Sequence, residues 1–114
     1  MRVLHVNNNY PYFGGTETYL RELANLQKKE GFDVSVAATN ASEIKPDVYP
    51  VSSLLAKLPK NFPTRSFLEI FDPISFQSQK KIITQFRPDL CHLHNLHGGP
   101  SLSSISASSK SNVP

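Results

Sequence analysis

NNNYPYFGGTETYL, Asn7 to Leu20, stands between a short apolar run, Val3-Leu4-His5-Val6, and a segment with helical spacing. Arg2 to Val6 is apolar and β-branched enough, and short enough, to be a buried strand. Asn7 to Gly15 reads as a loop, because it holds three Asn, one Pro and the adjacent pair Gly14-Gly15. A helix is expected from about Thr16 to Glu30, with Thr16 at the N-cap and Glu17 near the positive end of the helix dipole. Leu20, Leu23, Ala24 and Leu26, with Tyr19, supply its apolar face. Lys28 and Lys29 suit the negative end, and Gly31 is a natural stop. Phe32 to Ala38, with Val34 and Val36 alternating, is then a second strand. So short a return implies a right-handed β-α-β unit with parallel strands.

Further along, Asp47 to Ser52 reads as a third strand that Pro50 pushes to a sheet edge. From Leu54 to Phe71, Lys57, Lys60 and Arg65 alternate with Leu58, Phe62, Phe67 and Phe71, and Pro59 and Pro63 interrupt. This stretch is expected to be irregular, with a short helical turn. Its phenylalanines either pack onto the sheet, the preferred reading, or form a peripheral contact with an anionic membrane. Ile74 to Phe86 is a second helix, broken by Arg87-Pro88-Asp89, and Leu90 to Leu93 is a strand followed by the loop Asn95 to Pro100. Ser101 to Ser111 contains seven serines and is either a weak helix with Leu102 and Ile105 inward or a frayed tail. The order of elements predicts an α/β fold, a parallel sheet flanked by helices.

A chain of 114 residues, 39% apolar and 18% charged, fits one soluble domain. A net charge of +3 is compatible with anionic ligands or a membrane surface but too small to argue for nucleic acid. Cys91 is the single cysteine, so an internal disulfide is excluded and a buried, inert thiol is expected. The N-terminus lacks a signal-like apolar stretch, and no run reaches the roughly 18 apolar residues of a membrane span, so a cytoplasmic protein is expected.

Strand, glycine turn and helix can bring backbone N–H groups against a phosphate. Glycine suits such a turn because a Cβ blocks close approach and because the turn can require positive φ. The G-x-G-x-x-G fingerprint and the P-loop lysine are both absent, which argues against the usual dinucleotide site. A turn that merely packs helix on strand is the alternative. A second constellation, His92-x-His94-Asn95-x-His97, falls at the carboxyl end of a strand, where open α/β sheets bind ligands. His92 and His94 share a face and Cys91 points away from them. No nearby carboxylate or second cysteine completes a set of ligands, so no metal is expected. The histidines either hydrogen-bond at the strand end or contact a sugar or phosphate. With Gly98-Gly99 following, two glycine-bearing loops on one rim read as a ligand edge.

MRVLHV, GGTETYLRELANL, EGFDVSV and FRPDLCHLHN, in that order, resemble the N-terminal domain of family 4 glycosyltransferases of the GT-B fold. The resemblance implies a retaining enzyme that transfers a sugar from a nucleotide-sugar donor to a glycan, lipid-linked or small acceptor, with no metal or other cofactor. It implies two Rossmann-like domains facing a cleft, and a sheet order 3-2-1-4-5 in this one. By carry-over, Gly14, Gly15 and Thr16 approach the donor diphosphate, His94, Asn95 and His97 lie on the acceptor side, and Glu17 orders the loop. No catalytic residue is assigned. The family's donor-binding domain and the histidine after its fifth strand have no counterpart. Residues 1–114 are therefore expected to be an incomplete acceptor-side domain, a partial Rossmann-like unit lacking its last strands. Such a unit would be inactive alone, marginally stable, and peripheral at most to the inner membrane face. The alternative is a non-enzymatic binding module, or half of a split enzyme that needs a separately encoded donor domain.

Overall fold

Val3, Leu4, His5, Val6 and Asn7 are buried without interruption. Such a run belongs to a central parallel strand covered on both faces. In the computed structural model, which describes residues 1–11, 14–41, 45–59, 61–63 and 65–114, that strand is β1 (Arg2–Tyr10). It is followed by α1 (Gly15–Lys29), β2 (Asp33–Ala41), β3 (Val48–Pro50), α2 (Leu54–Lys57), α3 (Arg65–Ile70), α4 (Pro73–Phe86), β4 (Leu90–Leu93) and α5 (Ser103–Lys110). The sheet order is β3-β2-β1-β4 and every pairing is parallel. This is a Rossmann-like α/β arrangement, and β3 lies at an edge as Pro50 requires.

Alternation along β1 divides its side chains between two layers. Leu4 and Val6 join Ala37, Val51, Ile82, Ile83, Phe86 and Ala107 in the larger core, beneath α4 and α5. On the other face Leu20 of α1 packs with Val36 and Ala38. Gly31, at φ +92°, stops α1 in the left-handed conformation that glycine tolerates best.

Four expectations change. β1 does not end at Val6: Asn7, Asn9 and Tyr10 pair with Ala38, Asn40 and Ala41, so ladder hydrogen bonds override the poor strand propensity of asparagine. The expected loop shrinks accordingly, and its residues 12 and 13 lie outside the described ones. Gly14, not Thr16, is the N-cap of α1, and as glycine it supplies no side-chain cap. The apolar face of α1 is narrower than its spacing suggests, because Leu20 and Ala24 are buried while Tyr19 and Leu26 are exposed.

The segment before α4 forms two short helices rather than one turn. Its phenylalanines do not pack on the sheet: Phe62, Phe67 and Phe71 are exposed, Phe67 by 78%. Arg65 instead closes α2 by donating to Leu55 O at 2.9 Å and Leu58 O at 3.2 Å. Lys60 lies outside the described residues.

In α5 the expected inward pair is reversed. Leu102 and Ile105 are exposed, while Ser103, Ser104, Ala107 and Ser108 are buried. Polar contacts decide this packing. The Ser103 hydroxyl accepts from Asp72 N at 2.7 Å, and the Ser75 hydroxyl donates to Pro100 O at 2.7 Å.

Cys91 is half-buried, and burial pushes its thiol pKa up against a weaker opposing hydrogen bond with Ser108, as suits an inert thiol. Its backbone N–H donates to Pro114 O at 2.8 Å, on the side of β4 away from β1. Among the described residues no helix is long and apolar enough to cross a membrane.

Candidate ligand rim at the carboxyl ends of the strands

Because the strands are parallel, their carboxyl ends share one rim, and Asn7 joins its parts. Asn7 is fully buried. Its Nδ2 lies 2.6 Å from Asn9 O and 3.2 Å from Glu17 Oε1, and its Oδ1 accepts from Asn95 N at 3.0 Å. One amide therefore links the end of β1, the first turn of α1 and the loop after β4. Glu17 is buried in this contact. The Glu17 carboxylate in this way joins the first turn of α1 to the end of β1.

The ladder between β1 and β4 continues past β4, with His94 N donating to Val6 O at 2.9 Å and Asn8 N to Asn95 O at 2.8 Å. The Asn95 side chain then accepts from His97 N at 3.1 Å and turns the chain. Glu69 of α3 closes the other side: its Oε1 is 3.2 Å from His97 Nδ1 and 3.2 Å from Gly98 N. The result is an open groove of about 410 Å³ lined by Glu69, Ile70, His94, Asn95, Leu96, His97 and Leu102. Carboxylate, imidazole and amide groups can bind hydroxyls there, and the leucines offer apolar contact to a ring face.

His94, Asn95 and His97 are thus brought to one groove. Gly14, Gly15 and Thr16 are not among its lining residues; all three are exposed at the start of α1. Gly14 is extended, at φ −159° and ψ −158°, and the expected positive φ is not found at either glycine. Space is what distinguishes Gly15: a Cβ there would meet nothing within 4 Å. The N-cap residue Gly14 offers no side chain to the first amides of α1.

The second glycine pair has a packing explanation. Gly98 takes φ +83° in the turn, and a Cβ on Gly99 would lie 2.2 Å from Asn8 Oδ1 and 2.5 Å from Thr39 Oγ1. Gly99 in this way seats the loop on β1 and β2, a packing role for the second pair beside the ligand-edge reading.

Three side chains at the rim escape a reading of the sequence. Asn7 and Glu69 carry no motif and fall in stretches read as loop. His5 was hidden by distance along the chain, although strand order places β1 beside β4. It pairs in register with His92, and its Nδ1 lies 2.9 Å from His94 Nε2. His5 Nε2 lies 2.7 Å from Gln27 Oε1 on α1. Burial, followed by the neighbouring His92 and His5, pushes the pKa of His94 down to about 4. Burial also lowers that of His5, outweighing the opposing bond to Gln27, and His92 adds to the lowering.

Comparison with individually curated proteins gives no match. The family profile described as Glycosyltransferase Family 4 matches residues 13–114. That span covers α1, the sheet from β2 onward and the whole His94–His97 groove, and the chain belongs to glycosyltransferase family 4.

Proposed function

We propose that this domain holds the acceptor of a retaining glycosyltransferase whose donor is a nucleotide sugar and whose acceptor is a glycan, a lipid-linked sugar or a small hydroxyl compound. The observation that carries the reading is the groove at the carboxyl rim, in which His94, Asn95 and His97 stand beside the Glu69 carboxylate. Hydroxyl recognition needs such a mixture of donors and acceptors. Gly14, Gly15 and Thr16 are exposed at the amino terminus of α1, a position that suits an approaching diphosphate. Donor chemistry requires a second surface facing this rim, so the chain is read as one wall of the cleft.

Backbone amide NMR tests the two halves separately. Titration with uridine diphosphate is expected to shift Gly14, Gly15 and Thr16. Titration with a panel of oligosaccharides is expected to shift His94, Asn95 and His97 for at least one member. A folded chain in which both ligand classes perturb other residues, or none, would refute the assignment.

The same reading includes peripheral contact with the inner, anionic face of a membrane. What supports it is α3, which has no buried residue and exposes Phe67 by 78% and Ile70 by 64% on a chain of net charge +3. Phe67→Ser is expected to reduce co-sedimentation with phosphatidylserine vesicles severalfold. Equal binding to neutral vesicles, or no loss in the variant, would exclude this contact.

A further inference from the structure

We propose that His5, His92 and His94 form a zinc-binding site on the α1 side of the sheet, clamping β4 to β1. The proposal goes beyond sugar transfer and does not depend on it, since only the three imidazoles are required. The expectation of no metal rested on the want of a third ligand beside His92 and His94, and the neighbouring strand supplies one.

The ligand geometry comes from strand register. His5 sits opposite His92, and His94 lies two residues further on the same face. One nitrogen from each ring falls within 4.8 Å of the others. Tetrahedral zinc, with Zn–N near 2.0–2.1 Å, needs nitrogens about 3.3 Å apart. His5 and His94, at 2.9 Å, need only move slightly apart to reach that spacing. The remaining closure falls to His92, whose ring already lies against that of His94, with centroids 4.1 Å apart.

The hydrogen bond from His5 to α1 also suits a metal ligand. An amide oxygen only accepts, so the 2.7 Å contact from Gln27 Oε1 puts the proton of His5 on Nε2. Nδ1 then carries the lone pair and accepts from His94 Nε2 at 2.9 Å, so zinc must displace the His94 Nε2 proton to take both nitrogens. The Gln27 contact is the usual outer support of a metal-bound histidine, whose second nitrogen donates to a fixed oxygen. Three imidazole ligands with open outer positions favour a late first-row divalent ion over magnesium or calcium, which prefer oxygen. His97 stands apart from the cluster, paired with Glu69, and serves as an internal control.

The test is calorimetric titration of the full chain with zinc chloride after chelator treatment, with cobalt(II) absorption as a second readout. About one zinc per chain is expected, with cobalt bands of tetrahedral type. His92→Ala should weaken binding by at least about tenfold, and Gln27→Leu by about tenfold through loss of positioning alone. Because His92 is exposed, its replacement should leave the circular dichroism spectrum unchanged. If the variant nonetheless fails to fold, imidazole NMR of the native chain decides. Zinc should then shift His5, His92 and His94 and spare His97. No zinc uptake, equal uptake by folded His92→Ala, or a shift confined to His97 would overturn the proposal.

Discussion

Replacing Asp72 by alanine should lower the stability of the domain by about 3–5 kcal/mol, a large share of the roughly 5–15 kcal/mol that holds a domain together. Asp72 is fully buried and is the N-cap of α4. Its Oδ1 accepts from Ile74 N at 3.0 Å and Ser75 N at 3.1 Å, and its Oδ2 accepts from Leu55 N at 2.8 Å. The Ser53 hydroxyl lies 2.9 Å from the same Oδ2, and the Asp72 backbone reaches Ser103 of α5. One carboxylate therefore ties α2 and α4 together, while its peptide unit holds α5.

Alanine removes the cap, worth about 0.5–2 kcal/mol. It also leaves several buried donors without an acceptor, at about 1–3 kcal/mol for each that water cannot reach. Asp72→Asn should fall between the native chain and the alanine variant. Its carbonyl can still cap α4, but its NH2 then faces the N–H of Leu55. Urea denaturation with an unchanged m-value measures both. An alanine variant within about 1 kcal/mol of the native chain would show that water replaces the carboxylate and that the buried network is not what holds these helices.

Gly99→Ala is the second substitution with a large expected effect, a loss of about 2–3 kcal/mol. The added Cβ would stand 2.2 Å from Asn8 Oδ1, 2.5 Å from Thr39 Oγ1 and 2.9 Å from Thr39 Cβ. The Asn8 amide can swing aside, but Thr39 Cβ is fixed to the backbone of β2. The whole turn must therefore lift. Lifting it disturbs Ser53, whose hydroxyl lies 2.7 Å from Gly99 O, and so reaches the Asp72 network. Gly15→Ala is the matched control: its Cβ meets nothing within 4 Å, and alanine suits a helix better than glycine. Thermal melts of the two variants should separate by several degrees, with only the Gly99 variant falling. Equal melting temperatures would mean that the turn relaxes freely and that Gly99 is not required by packing.

Local pattern carried a large part of the fold. The alternation in Val34 and Val36, the helical spacing of Leu20 and Ala24, the stop at Gly31 and the run Leu90–Leu93 all lie within single elements. Their hydrophobic periods and turn chemistry read correctly without any partner. The motifs that resemble family 4 glycosyltransferases also survive in the sequence as contiguous words, and the family match over residues 13–114 agrees with them.

What tertiary structure alone decided is every feature whose cause lies on another element. Asn7 to Tyr10 became strand because β2 was long enough to pair with them. Ser103 of α5 turned inward where the backbone of Asp72 offered it hydrogen bonds, whereas hydrophobicity pointed to Leu102 and Ile105. Gly98-Gly99 resembled a ligand loop on paper, and the oxygens of Asn8 and Thr39 show that the second of these glycines is a close contact. His5 joined His92 and His94 only because parallel pairing set β1 beside β4 in that register. Composition and spacing record what a residue prefers locally. They do not record which distant backbone or side chain will stand within 3 Å of it, and that proximity selects among the local preferences and assembles the rim.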